Sequence, residues 1–150
     1  MDVKEAFCSS LAEFGGRLGA ALSLDPSGAC DFAVDGETGV ELRYFDESDT
    51  VVAWTTVGVL PEDGRAGERA LALLALNEPG AAPGGCTLSM DPDTRRALAH
   101  CKCAAEDLCS ADAIAAKVSC LAELATAVRE DFAIRFPCDD IPQEDEEREV

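Results

Sequence analysis

Val3, Phe7, Leu11, Phe14, Leu18 and Leu22 recur at three- and four-residue steps, so a helix carries all six on one face. Gly15, Gly16 and Gly19 interrupt that stripe, and each weakens a helix by up to ~1 kcal/mol relative to Ala. Three glycines so close mark either an approach of another backbone or tolerated surface positions. Pro26 and Gly28 are expected to end the element and form a turn. There the period changes. Cys30, Phe32 and Val34 point one way, while Asp31 and Asp35 point the other. Val40, Leu42 and Tyr44 repeat the alternation against Glu41 and Arg43, after a turn at Asp35-Gly36-Glu37. A further turn at Asp46-Glu47-Ser48-Asp49 leads into Thr50 to Leu60. The three runs read as an antiparallel meander. The third is apolar on both faces, so it is either central in its sheet or covered on its second side.

Pro61-Glu62-Asp63-Gly64 breaks the strand, and Asp63 is a candidate cap for the next helix. Leu71, Leu73, Leu74 and Leu76 make that helix apolar over most of its circumference. One face of so short a helix should be wet, and burial in a second chain is the simplest remedy. Asn77 suits the left-handed residue that closes a helix. A Gly/Pro/Ala loop follows from Glu78 to Gly85. Cys86 to Met90 and Arg96 to Cys101 then flank Asp91-Pro92-Asp93-Thr94 as a second hairpin. Ser110 caps the last helix, with Asp112 near its positive end. Its buried stripe is Ile114, Val118, Leu121, Ala125, Val128 and Phe132, and Pro137 stops it. The order is α-β-β-β-α-β-β-α, an α+β domain with helices packed on an antiparallel sheet over residues 1–136. Residues 137–150 read as an acidic disordered tail.

The chain has 150 residues, 47% of them hydrophobic and only 5% aromatic, which suits one folded domain with a core of Leu, Val and Ala. Its formal net charge of -18 repels nucleic acid and anionic lipid and keeps it soluble. The tail accounts for part of this. The rest of the chain still has 23 acidic against 11 basic residues. No basic start with an apolar run opens the sequence, and no stretch of about 18 apolar residues could span a membrane. The expected location is cytoplasmic. Thiols are usually reduced there, so the eight cysteines read mainly as small buried apolar residues.

Candidate chemistry is sparse. His100-Cys101-Lys102-Cys103 with Cys109 resembles metal ligands most, but zinc sites favour two-residue spacings and a second pair. The thioredoxin-like spacing is also missing. His100 is the single histidine, so any Ser-His or Cys-His catalysis rests on it. Gly84-Gly85 and Gly15-Gly16 lack the Lys and Ser/Thr of a phosphate loop. What remains is shape. A sheet with an apolar second face and a helix with surplus Leu mark a partner surface, open to strand addition or to an amphipathic helix.

Several local motifs, in order, resemble the class I type III secretion chaperones of the Tir-chaperone family. They are Phe14-Gly15, Leu18-Gly19, Leu22, Leu24-Asp25-x-x-Gly28-x-Cys30-x-Phe32 and Asp35. Further on come Val40-Glu41-Leu42, Val57-Gly58-Val59-Leu60-Pro61, Leu73-Leu74-x-x-Asn77 and Gly84-Gly85-x-Thr87-Leu88-x-Met90-Asp91-Pro92. The match runs from about Leu11 to Phe136. It implies a small acidic cytosolic homodimer with no enzymatic activity and no cofactor. Such a chaperone binds an N-terminal segment of a secreted effector and keeps it export-competent without ATP. On the matching positions the effector surface is Phe14, Leu18, Leu22, Phe32 and Val34, some of which must serve the core. The dimer surface is Leu71 and Leu74 with Val57 and Leu88 on the adjoining strands.

The strand from Arg96 to Cys101 is poorer in large apolar residues than the family pattern. Eight cysteines are unusual for the family, and the acidic tail has no counterpart in it. Two other readings stand beside the chaperone: a thiol-based metal or redox protein using Cys101, Cys103 and Cys109, and a non-secretory protein-binding domain of the same fold.

Overall fold

The computed structural model describes residues 2–77 and 85–136. Its elements are α1 (Val3–Leu18), β1 (Ala29–Val34), β2 (Thr38–Phe45), β3 (Thr50–Val59), α2 (Ala66–Leu76), β4 (Thr87–Met90), β5 (Arg96–Ala104) and α3 (Ala111–Arg135), with a 3-10 turn at Ala105–Leu108. The expected order of helices and strands is the observed one. The five strands form one antiparallel sheet in the order β1-β2-β3-β5-β4, which puts the two-sided strand β3 at its centre. The chain's contacts gather into two units, the described residues of Met1–Trp54 with Cys101–Cys120 and those of Thr55–His100 with Leu121–Val150.

In the first unit Asp2 caps α1 by accepting the Glu5 N–H at 2.7 Å. Phe7, Leu11 and Phe14 are buried along the helix, and the Phe7 ring lies 5.5 Å from Tyr44 of β2. β1 and β2 pair from Ala29↔Arg43 to Val34↔Thr38 around Asp35 and Gly36, both with positive φ. β2 and β3 pair from Glu41↔Trp54 to Phe45↔Thr50. The Tyr44 hydroxyl donates to Asp49 at 2.6 Å, tying the second turn to the strand before it. Ser110 caps α3 through the Ala113 N–H, and Ile114 and Val118 are buried as expected.

In the second unit α2 buries Arg69, Ala72 and Leu73, and β4 pairs with β5 from Thr87↔His100 to Met90↔Ala97. Leu121, Ala125, Val128 and Phe132 complete the buried stripe of α3. The Arg129 guanidinium donates to the carbonyls of Val57 at 2.8 Å and Thr56 at 3.2 Å, satisfying two backbone acceptors of β3.

Four local expectations need correction. α1 ends at Gly19 (φ 74°), whose N–H caps the last turn, rather than at Pro26 and Gly28; Leu22 therefore lies outside the helix. Pro26 and Gly28 belong to a separate turn entering β1, where the Gly28 N–H donates to Asp25 O. Asp63 does not cap the first turn of α2. It accepts the Arg65 N–H and holds Arg69, while Arg65 stands at the cap position. Asn77 closes α2 with φ -90° rather than in the left-handed region, because its N–H bonds back three residues to Leu74 O at 3.1 Å in a tightened last turn. In addition, β5 continues to Ala104, beyond the expected end at Cys101. The expected acidic tail, Pro137 and most of the Glu78 to Gly85 loop lie outside the described residues.

Candidate protein-binding surfaces

The first surface is the corner where α1 passes into β1. Gly15 is buried in α1, and a Cβ there would stand 2.6 Å from Ala20 O and 2.9 Å from the Leu22 side chain. Here a glycine does mark a close backbone approach. Gly16 has open space instead. Leu22 thereby packs back onto the helix although it has left it. Asp25 then organises the turn, accepting from the Ser27 hydroxyl at 2.6 Å, the Ser27 N–H and the Ala29 N–H. Those bonds, the Ser27 hydroxyl first, hold its carboxyl below the usual range. At Gly28 (φ 85°) a Cβ would meet Tyr44 O at 2.7 Å, so only glycine lets β1 start so close to β2.

The five residues of the expected effector surface are divided by this packing. Phe14 and Leu22 are buried, and Phe14 meets Phe32 edge-on at 5.6 Å. Leu18, Phe32 and Val34 are half-buried. Beside them lies the outer edge of β1. The Tyr44 N–H donates to Gly28 O, so Gly28, Cys30 and Phe32 face β2, while Ala29, Asp31 and Ala33 direct their backbone groups outward. Asp25 closes Ala29, taking its N–H on the carboxylate and donating its own N–H to the Ala29 carbonyl. Among the described residues, nothing pairs with the outward groups of Asp31 and Ala33. The corner thus offers two consecutive open registers flanked by part-exposed apolar side chains. The family resemblance pointed to these side chains and not to the edge, because which backbone groups face outward is set by how the strands pair.

The second surface is α2. Leu71 and Leu74 are 67% and 66% exposed and, three residues apart, share a face of the helix. The other two residues expected at the dimer surface, Val57 and Leu88, are buried in the chain at 1% and 5% exposure. Leu88 is held by Asn77, which donates to its carbonyl at 3.0 Å and accepts its N–H at 2.8 Å. The α2 residue Arg69 is also buried and bidentate on Asp63, with its guanidinium 5.3 Å from the Phe136 ring. Sequence reasoning missed both clasps. A lone arginine inside an apolar helix was the available signal for the second.

The thiols offer less. No disulfide joins the seven cysteines of the described residues. Cys30, Cys86 and Cys101 are buried as expected, Cys8, Cys103 and Cys120 are half-buried, and Cys109 is exposed. Burial pushes the Cys103 thiol up to about 11, the reverse of what a ligand or nucleophile needs. Burial likewise lowers the His100 pKa. Among the described residues, no three His, Cys, Asp or Glu side chains form a group able to hold a metal ion. The void beside Cys101, Cys103 and Lys117 measures about 10 Å³, room for at most one water.

A family model, that of the Tir chaperone protein (CesT) family, matches residues 9–129. The chain belongs to the Tir chaperone protein (CesT) family. The match spans both surfaces, from α1 through α2 to the second half of α3. No curated protein matches the sequence. Among solved structures, this CesT-family chain is similar to the HopA1-SchA chaperone-effector complex (TM-score 0.67, 20% identity, covering 87% of this chain and 98% of that one). It is also similar to the Yersinia pestis type III secretion chaperone SycH in complex with a stable fragment of YscM2 (TM-score 0.62, 21% identity, 81% and 98%). YbjN, a proposed transcription regulator from E. coli, has the same fold as well (TM-score 0.54, 16% identity, 85% and 92%). Likeness at these identities describes the fold. Among the described residues no helix is long and apolar enough to cross a membrane.

Proposed function

We propose that this CesT-family member is a cytoplasmic, ATP-independent chaperone for a type III secretion effector. It binds an N-terminal segment of that protein in extended form, keeps it competent for export and catalyses nothing. The observation that carries this reading is the α1–β1 corner. Two adjacent open backbone registers, Asp31 and Ala33, lie beside half-buried Leu18, Phe32 and Val34. An added strand gains affinity from backbone hydrogen bonds and specificity from alternate side chains, and this corner supplies both. The family match and the chaperone complexes among its structural neighbours support the same reading. The working unit is a homodimer formed through Leu71 and Leu74, whose exposure leaves two large apolar side chains in water. With a net charge of -18, neither nucleic acid nor an anionic membrane is its partner.

The test is affinity capture with the full chain, followed by truncation of whatever protein dominates. The reading requires one dominant partner whose N-terminal region alone is sufficient for capture. Capture that survives deletion of that region, or no enrichment above a control, overturns it.

A further inference from the structure

The sheet has a second outer strand, β4, and its outward register is occupied from within the chain. The Asp91 N–H donates to Arg96 O, so by alternation Ser89 faces β5 while Leu88 and Met90 direct their backbone groups away from it. At Leu88 both outward groups are taken. The Asn77 carboxamide accepts the N–H at 2.8 Å and donates to the carbonyl at 3.0 Å, the pair of bonds a neighbouring strand would make. An unpaired outer strand invites another chain to pair with it, and proteins blunt such edges with side chains.

We infer that Asn77 is a specificity-determining residue: its carboxamide closes the β4 edge, keeping extended segments off β4 and leaving the β1 edge as the place where a strand adds. The two edges differ in this respect. On β1 the corresponding closure by Asp25 stops at Ala29, and Asp31 and Ala33 stay open in consecutive outward registers. On β4 the closure falls on Leu88, so among the described residues Met90 is left as an isolated position, too short for a strand to grip. Both groups of the carboxamide are needed. A carboxylate at position 77 would accept the Leu88 N–H but repel its carbonyl, and an apolar side chain of the same size would do neither. The statement about a secreted partner rests on the proposed function. The statement about β4 does not, since copies of this chain are themselves extended partners for an open edge.

The experiment therefore uses the full chain alone. Amide hydrogen exchange at Leu88 and the mass by light scattering are measured for wild type, Asn77→Leu and Asn77→Leu with Met90→Lys. A lysine on an edge strand discourages pairing without repairing a misfolded chain. The expected result is roughly tenfold faster exchange at Leu88 in Asn77→Leu, the loss of about one hydrogen bond. Its mass should exceed that of wild type at equal concentration and return to the wild-type value in the double variant. Three outcomes overturn the inference: a Leu88 amide as protected as in wild type, a fast-exchanging Leu88 with unchanged mass, or a heavier species that Met90→Lys fails to reverse. Loss of the proposed effector binding by wild type leaves this result untouched, so the two readings fail separately.

Discussion

Arg69 is 1% exposed and donates from both terminal nitrogens of its guanidinium to Asp63, at 2.6 and 2.9 Å. Burying a guanidinium is costly unless its donors are engaged. The hydrogen bond from Arg69, joined by the Arg65 N–H, lowers the Asp63 carboxyl to about 2. Its pKa is depressed in the fold, so its contribution is complete above the unfolded value of about 3.9 and fades as pH falls toward about 2. Asp63→Asn removes the charge and should lower Tm at pH 7, a difference that narrows in thermal melts near pH 3. An equal difference at both pH values would mean that this pair does not carry the effect.

Gly15 and Gly16 are neighbours in α1 with opposite surroundings. A methyl group at Gly15 collides with Ala20 O, which is backbone and cannot swing aside. Gly15→Ala should destabilise by about 1–3 kcal/mol, as overpacking does. At Gly16 the space is open, so Gly16→Ala should stabilise by about 0.5–1 kcal/mol through reduced chain entropy. Urea denaturation of the two variants checks both signs at once.

The stripes and alternations that place helices and strands were legible in the sequence because periodicity reports which face is buried. Phe7, Leu11, Val40, Leu42 and the whole α3 stripe are buried as their spacing demands. What escaped the sequence depends on groups far apart in the chain. Leu22 continues the helical period yet sits outside α1, because the left-handed Gly19 turns the backbone early and the freed leucine packs onto Gly15. Asn77 suits a helix terminus by residue type, but its side-chain bonds to Leu88, eleven residues on, leave no local signal in the sequence. At the candidate site, the apolar residues were readable. Their division between core and surface was not, since the helical stripe places Phe14 and the strand alternation places Phe32 without showing that the two rings pack on each other.

The cysteines should react in an order set by burial. Cys109 is exposed, whereas burial, more than any charge, raises Cys103 to about 11. At pH 8 the thiolate fraction of Cys103 is therefore far below that of an ordinary cysteine near 8.5. Limited alkylation followed by peptide mapping should label Cys109 well before Cys103. Equal labelling would show that the fold does not protect the β5 thiol.

The open edge of β1 makes its own demand. Ala33 is exposed, and its backbone groups point outward. Ala33→Lys leaves the core untouched, so its Tm should stay close to wild type. A charged side chain on an edge position discourages strand addition. Binding of the captured partner's N-terminal segment should weaken roughly tenfold, about the loss of one net hydrogen bond. Isothermal titration measures this, and unchanged affinity would move the partner's strand away from β1.

Leu71 and Leu74 give the remaining prediction. Both are about two-thirds exposed, while Leu73 between them is buried. A charge at either exposed position costs the monomer little, because the new side chain stays in water. Across a dimer interface the same carboxylate must be desolvated twice, once per copy, by the symmetry of the contact. Leu71→Asp and Leu74→Asp should therefore give a monomeric mass by light scattering at micromolar concentration, where wild type is dimeric. The far-UV circular dichroism should be unchanged. Leu73→Asp is the contrast: it buries a carboxylate inside the chain and should unfold the second unit whatever the state of association. If wild type itself is monomeric at that concentration, the exposed leucines serve another contact, and the two surface variants should then lose the captured partner instead.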